Sequence, residues 1–294
     1  MFIHKIRIVA DTSTDLTFAD AQRLGVELLP IPVFVDGIQR RDGIDFSHES
    51  FYEILEKSKK LPSTSHISLS TASEVYERAY AEGCEAVVHI CNYSGTSGAF
   101  NSARLAKQNF FEEHPEAEGK IRIEPIDSKG FSMIYGMSVV AASEMRASGA
   151  TVDAILAKVD EIVNRAQAVL CMYDLKYAKN SGRISAAAAF AGSVLGIRPI
   201  IGMADGGTEP IDKVRGDKIL IPRIVDEVEK LIGDDKVYYV AGGYDIPEIG
   251  QLSSALEKKL GAPPTGHFKL GCSVAINVGP KTLGIIFLGK DRRV

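Results

Sequence analysis

Cysteine is scarce in this chain of 294 residues, which contains only four. Cys84, Cys91, Cys171 and Cys272 are scattered, without a C-x-x-C pair and without the ligand spacing of a zinc finger. This pattern disfavours a disulfide framework and is typical of buried thiols in a reducing compartment. We therefore predict a cytoplasmic protein.

Long apolar runs and long basic runs are also missing. No stretch approaches the roughly 18 uninterrupted apolar residues of a membrane helix. The apolar start at residues 1–11 is interrupted by charges, which disfavours a secretion signal. The formal net charge is −4, and the final K-D-R-R is too short to offset it. We predict neither stable membrane insertion nor a nucleic-acid partner.

Sequence devices for nucleotides and metals are absent too. The glycines form neither a G-x-G-x-x-G nor a P-loop with its lysine. None of the six histidines has a second histidine or a cysteine at ligand spacing. The sequence predicts no cofactor and no metal site.

The pattern of apolar residues predicts an α/β fold. Composition is that of an ordinary globular protein, with 45% hydrophobic and 24% charged residues. Apolar runs such as Ile6–Ala10 and Ala86–Ile90 predict buried parallel strands that alternate with helices, as in a doubly wound sheet. After Ala166 a hairpin over residues 199–214 and further strands indicate a mixed sheet. We predict two domains, residues 1–165 and 166–294.

Loops rich in hydroxyl groups follow the predicted strands of the first half. Ser94–Gly98 comes directly before a helix that begins near Ala99, and the N-terminus of a helix favours an anion. The ends of parallel strands converge on one crevice, so Thr64 and Ser65 are expected there as well. Each of these hydroxyls also suits a helix cap or a turn, and both interpretations stay open.

The segment Gly95–Ala99 is similar to the nucleophile elbow G-x-S-x-G of α/β-hydrolases, with alanine in the last place. Such an enzyme would use Ser97 with an acid and a histidine later in the chain. His267 could serve as that histidine, but nothing marks an acid. An acyl or ester hydrolase that depends on Ser97 is therefore an alternative to a binding protein.

A run of small residues, Ile184–Ser193, follows Arg183. Small residues permit tight helix packing, or they leave room for a ligand. An apolar wall at Ala186–Ala191, with an anion-binding mouth elsewhere, would suit a molecule with one charged end and a long tail. Burial of about 14 methylenes would contribute on the order of 10 kcal/mol.

Six blocks of sequence, in order, resemble the DegV family of bacterial fatty-acid-binding proteins. They are Ile8–Leu16, Ser63–His66, Ser94–Ala103, Asp127–Gly136, Leu175–Ser185 and Asn277–Gly284. The resemblance implies a long-chain fatty acid held in a tunnel between two α/β domains. It also implies a carrier without catalytic activity that presents the fatty acid to a fatty acid kinase, which phosphorylates the carboxylate.

The resemblance also implies roles for particular residues. Thr64 and Ser97 would hydrogen-bond the carboxylate, with Ser65, Ser94 and the backbone of Gly98 nearby. Arg183 and Asn277 would complete the fatty-acid-binding residues, with Arg183 beside the head group, where it matters for presentation to the partner.

Two positions depart from the family pattern. Asn277 stands where members carry a histidine, and asparagine does not change charge near neutral pH. His66 replaces a glutamine. The loss of the histidine leaves open a third function, in which the chain binds a fatty acid for storage or sensing without a kinase.

Overall fold

The protein is described by a computed structural model that covers residues 5–190, 196–244 and 246–290. Its strands are Ile6–Asp11 (β1), Glu27–Leu29 (β2), Pro32–Val35 (β3), Ile38–Arg41 (β4), Ser63–Thr64 (β5), Ala86–Cys91 (β6), Arg122–Asp127 (β7), Ala166–Met172 (β8), Ile197–Ala204 (β9), Gly207–Arg215 (β10), Tyr238–Gly242 (β11), Gly266–Lys269 (β12) and Thr282–Leu288 (β13). Its helices are Phe18–Leu24 (α1), His48–Lys57 (α2), Leu69–Ala81 (α3), Ala99–Glu113 (α4), Met133–Ala147 (α5), Val152–Arg165 (α6), Lys176–Ser181 (α7), Asp217–Leu231 (α8), Pro247–Leu260 (α9) and Cys272–Val278 (α10). No helix in the covered ranges is long and apolar enough to cross a lipid bilayer.

A four-stranded parallel sheet has the strand order β2-β1-β6-β7. Its central strands β1 and β6 are buried on both faces, so neighbouring residues enter different cores: Ile8 packs with α5, and Val9 packs with α3 and α4. The chain adds β2 on one side of β1 and β6 on the other. The strand order therefore reverses between β1 and β6, and ligands of open α/β sheets bind beyond the strand ends at such a point.

A six-stranded mixed sheet has the order β10-β9-β8-β13-β11-β12. Its neighbouring strands are antiparallel except for β11 and β12, which are parallel. Helices α8 and α9 cover one face through residues such as Leu220 and Leu252. The hairpin expected over residues 199–214 is confirmed as β9 and β10.

Helix α5 lies between the two sheets. Its Met137 and Ala142 share one hydrophobic core with Ile8 of the parallel sheet and Leu170 of the mixed sheet. The predicted two-domain α/β fold, with a parallel first sheet and a mixed second sheet, is confirmed. The domain boundary at residue 165 stays a prediction.

A small antiparallel sheet, β4-β3-β5, stands beside the parallel sheet. Strand β5 has two residues, and Thr64 pairs with Val33 of β3. This pairing fixes the backbone at Thr64 although the surrounding segment is a loop.

Asp15 connects the first half of the chain to the second. Its carboxyl group accepts hydrogen bonds from the backbone N–H of Gly271 at 2.7 Å and from Ser132 Oγ at 2.5 Å. Burial raises the pKa of Asp15 to about 8, and the two hydrogen bonds offset only part of this rise. The native protein therefore holds a proton at Asp15 at pH values where an unfolded chain has lost it.

This proton predicts a loss of stability as pH rises. The native state binds one more proton than the unfolded state between the ordinary carboxyl pKa of 3.8 and about 8. The free energy of unfolding should therefore fall over that range, by at most about 1.4 kcal/mol per pH unit. Asp15→Asn keeps an acceptor for Gly271 and does not titrate, so its unfolding free energy should fall less. Urea unfolding of both proteins at pH 5 and pH 8 measures the difference, and equal slopes would contradict the expectation.

Candidate functional site

A cavity of about 250 Å³, which we call the polar cavity, lies beyond the carboxyl ends of β1 and β6. It is bounded by the N-terminus of α4, the loop after β5, the chain after α7 and helix α10. The residues predicted as binding residues that line it are Thr64, Ser65, Ser97, Gly98, Arg183 and Asn277. The fold therefore brings together groups from both halves of the chain at the switch point of the parallel sheet.

Ser97 and Gly98 are placed by the turn between β6 and α4. Ser97 Oγ accepts a hydrogen bond from the N–H of Ala99 at 3.3 Å, so its own O–H proton is left to donate into the cavity. Gly98 comes directly before α4, where the first N–H groups of a helix have no acceptor within the helix. This corner of the cavity offers hydrogen-bond donors.

Gly98 lies against the side chain of His66, which would have to shift to make room for a larger residue. A Cβ atom at Gly98 would be 2.8 Å from His66 Nε2, which is closer than real Cβ contacts. His66 also lines the polar cavity, two residues after Thr64. The departure from the family's glutamine therefore places an imidazole at the cavity wall.

Ser94 is not among the residues that line the polar cavity. Its Oγ donates to Asp127 Oδ2, and its N–H donates to Asp127 Oδ1 at 3.1 Å. Within the described residues, Ser94 therefore holds the loop against the end of β7. Its proposed nearness to a fatty-acid head group stays a prediction.

Arg183 lies at the mouth of the cavity. Its side chain is exposed, and its Nε donates to the carbonyl oxygen of Thr96 at 3.4 Å. The residue thus bridges the loop after β6 and the chain after α7, with the rest of the guanidinium facing solvent.

The floor of the cavity contains a hydrogen-bond network that the sequence did not predict. Asp11 Oδ1 accepts from the N–H and Oγ of Ser13, at 2.9 and 2.5 Å, and from the hydroxyl of Tyr135 at 2.8 Å. Burial raises the pKa of Asp11, although these hydrogen bonds lower it in part. Asn92 Nδ2 donates to Ser13 Oγ at 2.8 Å. Residues from β1, from the loops after β1 and β6, and from α5 come together here. No local sequence motif predicts such a network.

Asn277 faces the cavity from α10. Its Nδ2 donates to the carbonyl oxygen of Ser273 one turn earlier, at 2.7 Å. Ser273 also lines the cavity and is 5% exposed. Helix α10 thus supplies polar groups to the wall opposite α4.

A second, apolar cavity adjoins the first and shares Phe131 and Val274 with it. We call it the apolar cavity. Its lining comes from the start of α5, from the mixed sheet and from α10, and includes Ile134, Ala168, Leu170, Met203, Ala241 and Val278. The polar side chains there are satisfied: Ser132 Oγ donates to Asp15, and Thr282 Oγ1 donates to the carbonyl oxygen of Val278 at 2.8 Å. A polar cavity therefore lies next to an apolar one, and the side chains of Phe131 and Val274 line both.

The apolar cavity is small as it stands, at about 30 Å³. Such a space holds only on the order of one or two water molecules. A longer guest would enter only if lining side chains move apart. Met203 has an unbranched, flexible side chain, and Phe131 is only partly buried, so both can move.

The wall of small residues predicted at Ala186–Ala191 is not where the apolar interior lies. Residues Ser185–Phe190 form a 3₁₀ helix, and the N–H of Ala186 donates to Thr208 Oγ1 at 3.0 Å. Ala186 and Ala187 are buried in the general core, and Ala188 and Ala189 are exposed. Neither cavity is lined by residues 186–189, and Ala191 lies outside the described residues.

The pair that a Ser97 hydrolase would need is not assembled. His267 Nε2 lies 2.9 Å from Ser253 Oγ and lines a different cavity, beside Lys269. Ser97 lines the polar cavity. His66 also lines the polar cavity, but it comes before Ser97 in the chain and has no hydrogen bond to it among the described residues.

One group of potential metal ligands lies outside both cavities. Ligand atoms of Glu77, Glu113 and His114 lie within 4.8 Å of one another at the ends of α3 and α4. His114 already contacts Glu77 at 3.0 Å and Glu116 at 3.3 Å, so ion pairing accounts for the arrangement. The absence of a metal stays a prediction.

Comparison with known proteins places the whole described chain in one family. A sequence model described as "Uncharacterised protein, DegV family" matches residues 5–290. The chain belongs to the DegV family. A DegV domain-containing protein of Caldanaerobacter subterraneus subsp. tengcongensis is 29% identical over 296 residues, which is 97% of this chain and 99% of that protein.

Solved structures of DegV proteins share the fold. The crystal structure of a stearic-acid-binding protein of Eubacterium ventriosum matches with a TM-score of 0.85 and 25% identity, over 97% of this chain and 98% of that one. A fatty-acid-binding DegV family protein of Streptococcus agalactiae matches with a TM-score of 0.83 and 25% identity, over 98% and 99% of the two chains. The resemblance noted in the sequence is thereby confirmed as family membership and as fold.

Proposed function

We propose that this DegV protein binds a long-chain fatty acid, with the carboxyl group in the polar cavity and the acyl tail in the apolar cavity. The single observation that carries the proposal is that the polar and apolar cavities are neighbours, with Phe131 and Val274 lining both. A molecule with one polar end and a long apolar tail matches this pair of surroundings once the side chains that line the apolar cavity move apart. Two solved structures of the same fold, one of a stearic-acid-binding protein and one of a fatty-acid-binding DegV family protein, support the proposal.

The two cavities contribute differently to binding. Each buried methylene contributes about 0.8 kcal/mol, so a tail of about 14 methylenes supplies most of the affinity. Hydrogen bonds from Thr64, Ser97 and Gly98 contribute roughly 0.5–1.5 kcal/mol each and set the direction in which the chain enters. A titration with saturated fatty acids of increasing length tests this division. Affinity should rise with each added methylene until the apolar cavity is full, and equal affinity for short and long chains would contradict it.

We infer that the protein is a carrier without its own catalysis, and that it presents the head group to a fatty acid kinase. The polar cavity opens to solvent at Arg183, so a partner enzyme can reach a head group held there. Cytoplasmic location is part of the same proposal. Among the described residues, Ser97 has no histidine bonded to it, which favours a carrier over the hydrolase.

Arg183→Ala tests the hand-over. The exposed guanidinium at the mouth has no role in holding the tail, so fatty-acid affinity should fall by less than about threefold. Acyl phosphate formation by a fatty acid kinase should fall about tenfold, because one charge-assisted contact with the partner is lost. Lys179→Ala, an exposed change on α7, is the matched control. Equal losses of affinity and of acyl phosphate in Arg183→Ala would contradict the role. No acyl phosphate from the unchanged protein would favour storage or sensing.

A further inference from the structure

Three polar atoms in the walls of the polar cavity have no hydrogen-bond partner among the described residues: Asn92 Oδ1, Ser273 Oγ and Asn277 Oδ1. All three atoms are buried, and Ser273 as a whole is 5% exposed. A buried polar atom without a partner costs roughly 1–3 kcal/mol. A ligand that pairs with these atoms is therefore stabilised in the cavity.

The orientation of both asparagines follows from their neighbours. Asn277 Nδ2 lies 2.7 Å from the carbonyl oxygen of Ser273, and a reversed amide would place two oxygens together there. Asn92 Nδ2 lies 2.8 Å from Ser13 Oγ, whose own proton is donated to Asp11. In both asparagines the amide oxygen, which can only accept a hydrogen bond, is therefore the atom left without a partner in the cavity wall.

The cavity consequently has two chemically different walls. The wall at the start of α4 donates, through the O–H of Ser97 and the N–H groups at Gly98. The other unpaired atoms are the amide oxygens of Asn92 and Asn277, which only accept, and the hydroxyl of Ser273, which accepts or donates. An ionised carboxylate offers acceptors only, whereas a protonated carboxyl group has one acceptor oxygen and one O–H donor.

We propose that the polar cavity holds the fatty acid as its neutral, protonated acid. The carbonyl oxygen lies toward Ser97 and Gly98, and the O–H donates to the oxygen of Asn277 or Asn92. This inference rests on the proposed function and names the form of the ligand that is bound. It also makes Asn277 a specificity residue that selects a head group carrying a donor.

Other charged groups face the cavity or the helix behind it. Asp11 and His66 line it, Arg183 stands at its mouth, and Asp42 accepts a hydrogen bond from the N–H of Ser273 at 3.3 Å. Burial raises the pKa of Asp11, and loss of its proton with rising pH would also weaken the binding of an anion. The test must therefore separate the proton of the ligand from the protons of these side chains.

Calorimetric titrations at pH 6, 7 and 8 separate these contributions. The ligands are dodecanoic acid below its aggregation concentration, dodecanamide and methyl dodecanoate. Affinity for the acid should fall about tenfold per pH unit, because the neutral fraction falls by that factor above the ordinary carboxyl pKa. The amide carries both a donor and an acceptor and does not titrate, so its affinity should change by less than about threefold. The ester lacks a donor and should bind at least about tenfold more weakly than the amide.

Two variants complete the design. Asp11→Asn combined with His66→Gln replaces these two side chains of the cavity wall by neutral ones, and the tenfold slope for the acid should persist. Asn277→Leu removes the accepting amide, so affinity for the acid and the amide should fall about tenfold. Affinity for the ester, which donates nothing, should change by less than about twofold in that variant.

The outcomes are distinct. Acid affinity that is constant from pH 6 to pH 8, or a slope that disappears in the Asp11→Asn/His66→Gln protein, overturns the inference and leaves the proposed function standing. Failure of all three lipids to bind the folded protein at any pH overturns the proposed function itself.

Discussion

Ala168→Ile is expected to bind octadecanoic acid at least about a hundredfold more weakly than the unchanged protein. Ala168 lines the apolar cavity from β8, between Met203 on β9 and Ile286 on β13. Three extra carbon atoms at this point block the route of the tail. Exclusion of only four methylenes removes roughly 3 kcal/mol, at about 0.8 kcal/mol each. Calorimetric titration with octadecanoic acid measures the loss.

Ala166→Ile is the matched control for this variant. Ala166 lies two residues earlier on the same strand, with 3% exposure against 4% for Ala168, and it does not line the apolar cavity. Both changes overpack the core and should cost roughly 1–3 kcal/mol of stability. Only Ala168→Ile should lose affinity for long chains. Equal affinity in the two variants would show that the tail lies elsewhere.

Thr64→Ala combined with Ser97→Ala is expected to weaken binding about tenfold to a hundredfold. Both hydroxyls line the polar cavity, and each hydrogen bond to a head group contributes roughly 0.5–1.5 kcal/mol. The loss should be similar for short and long chains, because the head group is the same. This uniform loss distinguishes the head-group variant from Ala168→Ile, whose effect should grow with chain length.

The control for the hydroxyl pair is Ser70→Ala combined with Thr71→Ala. These residues also comprise one serine and one threonine, but they lie in the first turn of α3, where both hydroxyls contact Ser68. The control should bind fatty acids as the unchanged protein does. Unchanged affinity in a folded Thr64→Ala/Ser97→Ala protein would rule out the head-group assignment.

Local patterns in the sequence were sufficient to predict much of the fold. The run Ala86–Cys91 is buried along its whole length, and its apolar residues alone indicate a parallel strand. The turn at Asp205–Gly207 between two extended runs indicates the β9–β10 hairpin. Both patterns depend only on residues that are close in the chain, so they predict these elements without knowledge of the tertiary structure.

The polar cavity was predictable in part. Hydroxyl loops at strand ends, with the family resemblance, pointed to Thr64 and Ser97, and the structure places both in one cavity. Asn92 and Ser273 were not predicted because they are 181 positions apart in the chain. They line one cavity only once the end of β6 and helix α10 come together. Ser94 was predicted near the head group from its loop and the family resemblance; its hydroxyl donates to Asp127, and the nearness to a head group stays a prediction.

The apolar cavity was not predictable from composition. The small residues at 186–189 were predicted to form an apolar wall for the ligand, but they pack as a 3₁₀ helix against β10. The residues that do line the cavity, such as Leu170, Met203 and Val274, have the ordinary character of core residues. Only the packing of α5 and α10 against the mixed sheet separates them from the rest of the core.

Mass spectrometry of lipids extracted from the purified, folded protein tests the central claim most directly. A long-chain fatty acid at up to one molecule per chain is the predicted result, and its length would report the reach of the apolar cavity. If the extract contains no fatty acid, the same protein should take one up from solution. A folded protein that neither retains nor takes up a long-chain fatty acid would contradict the account.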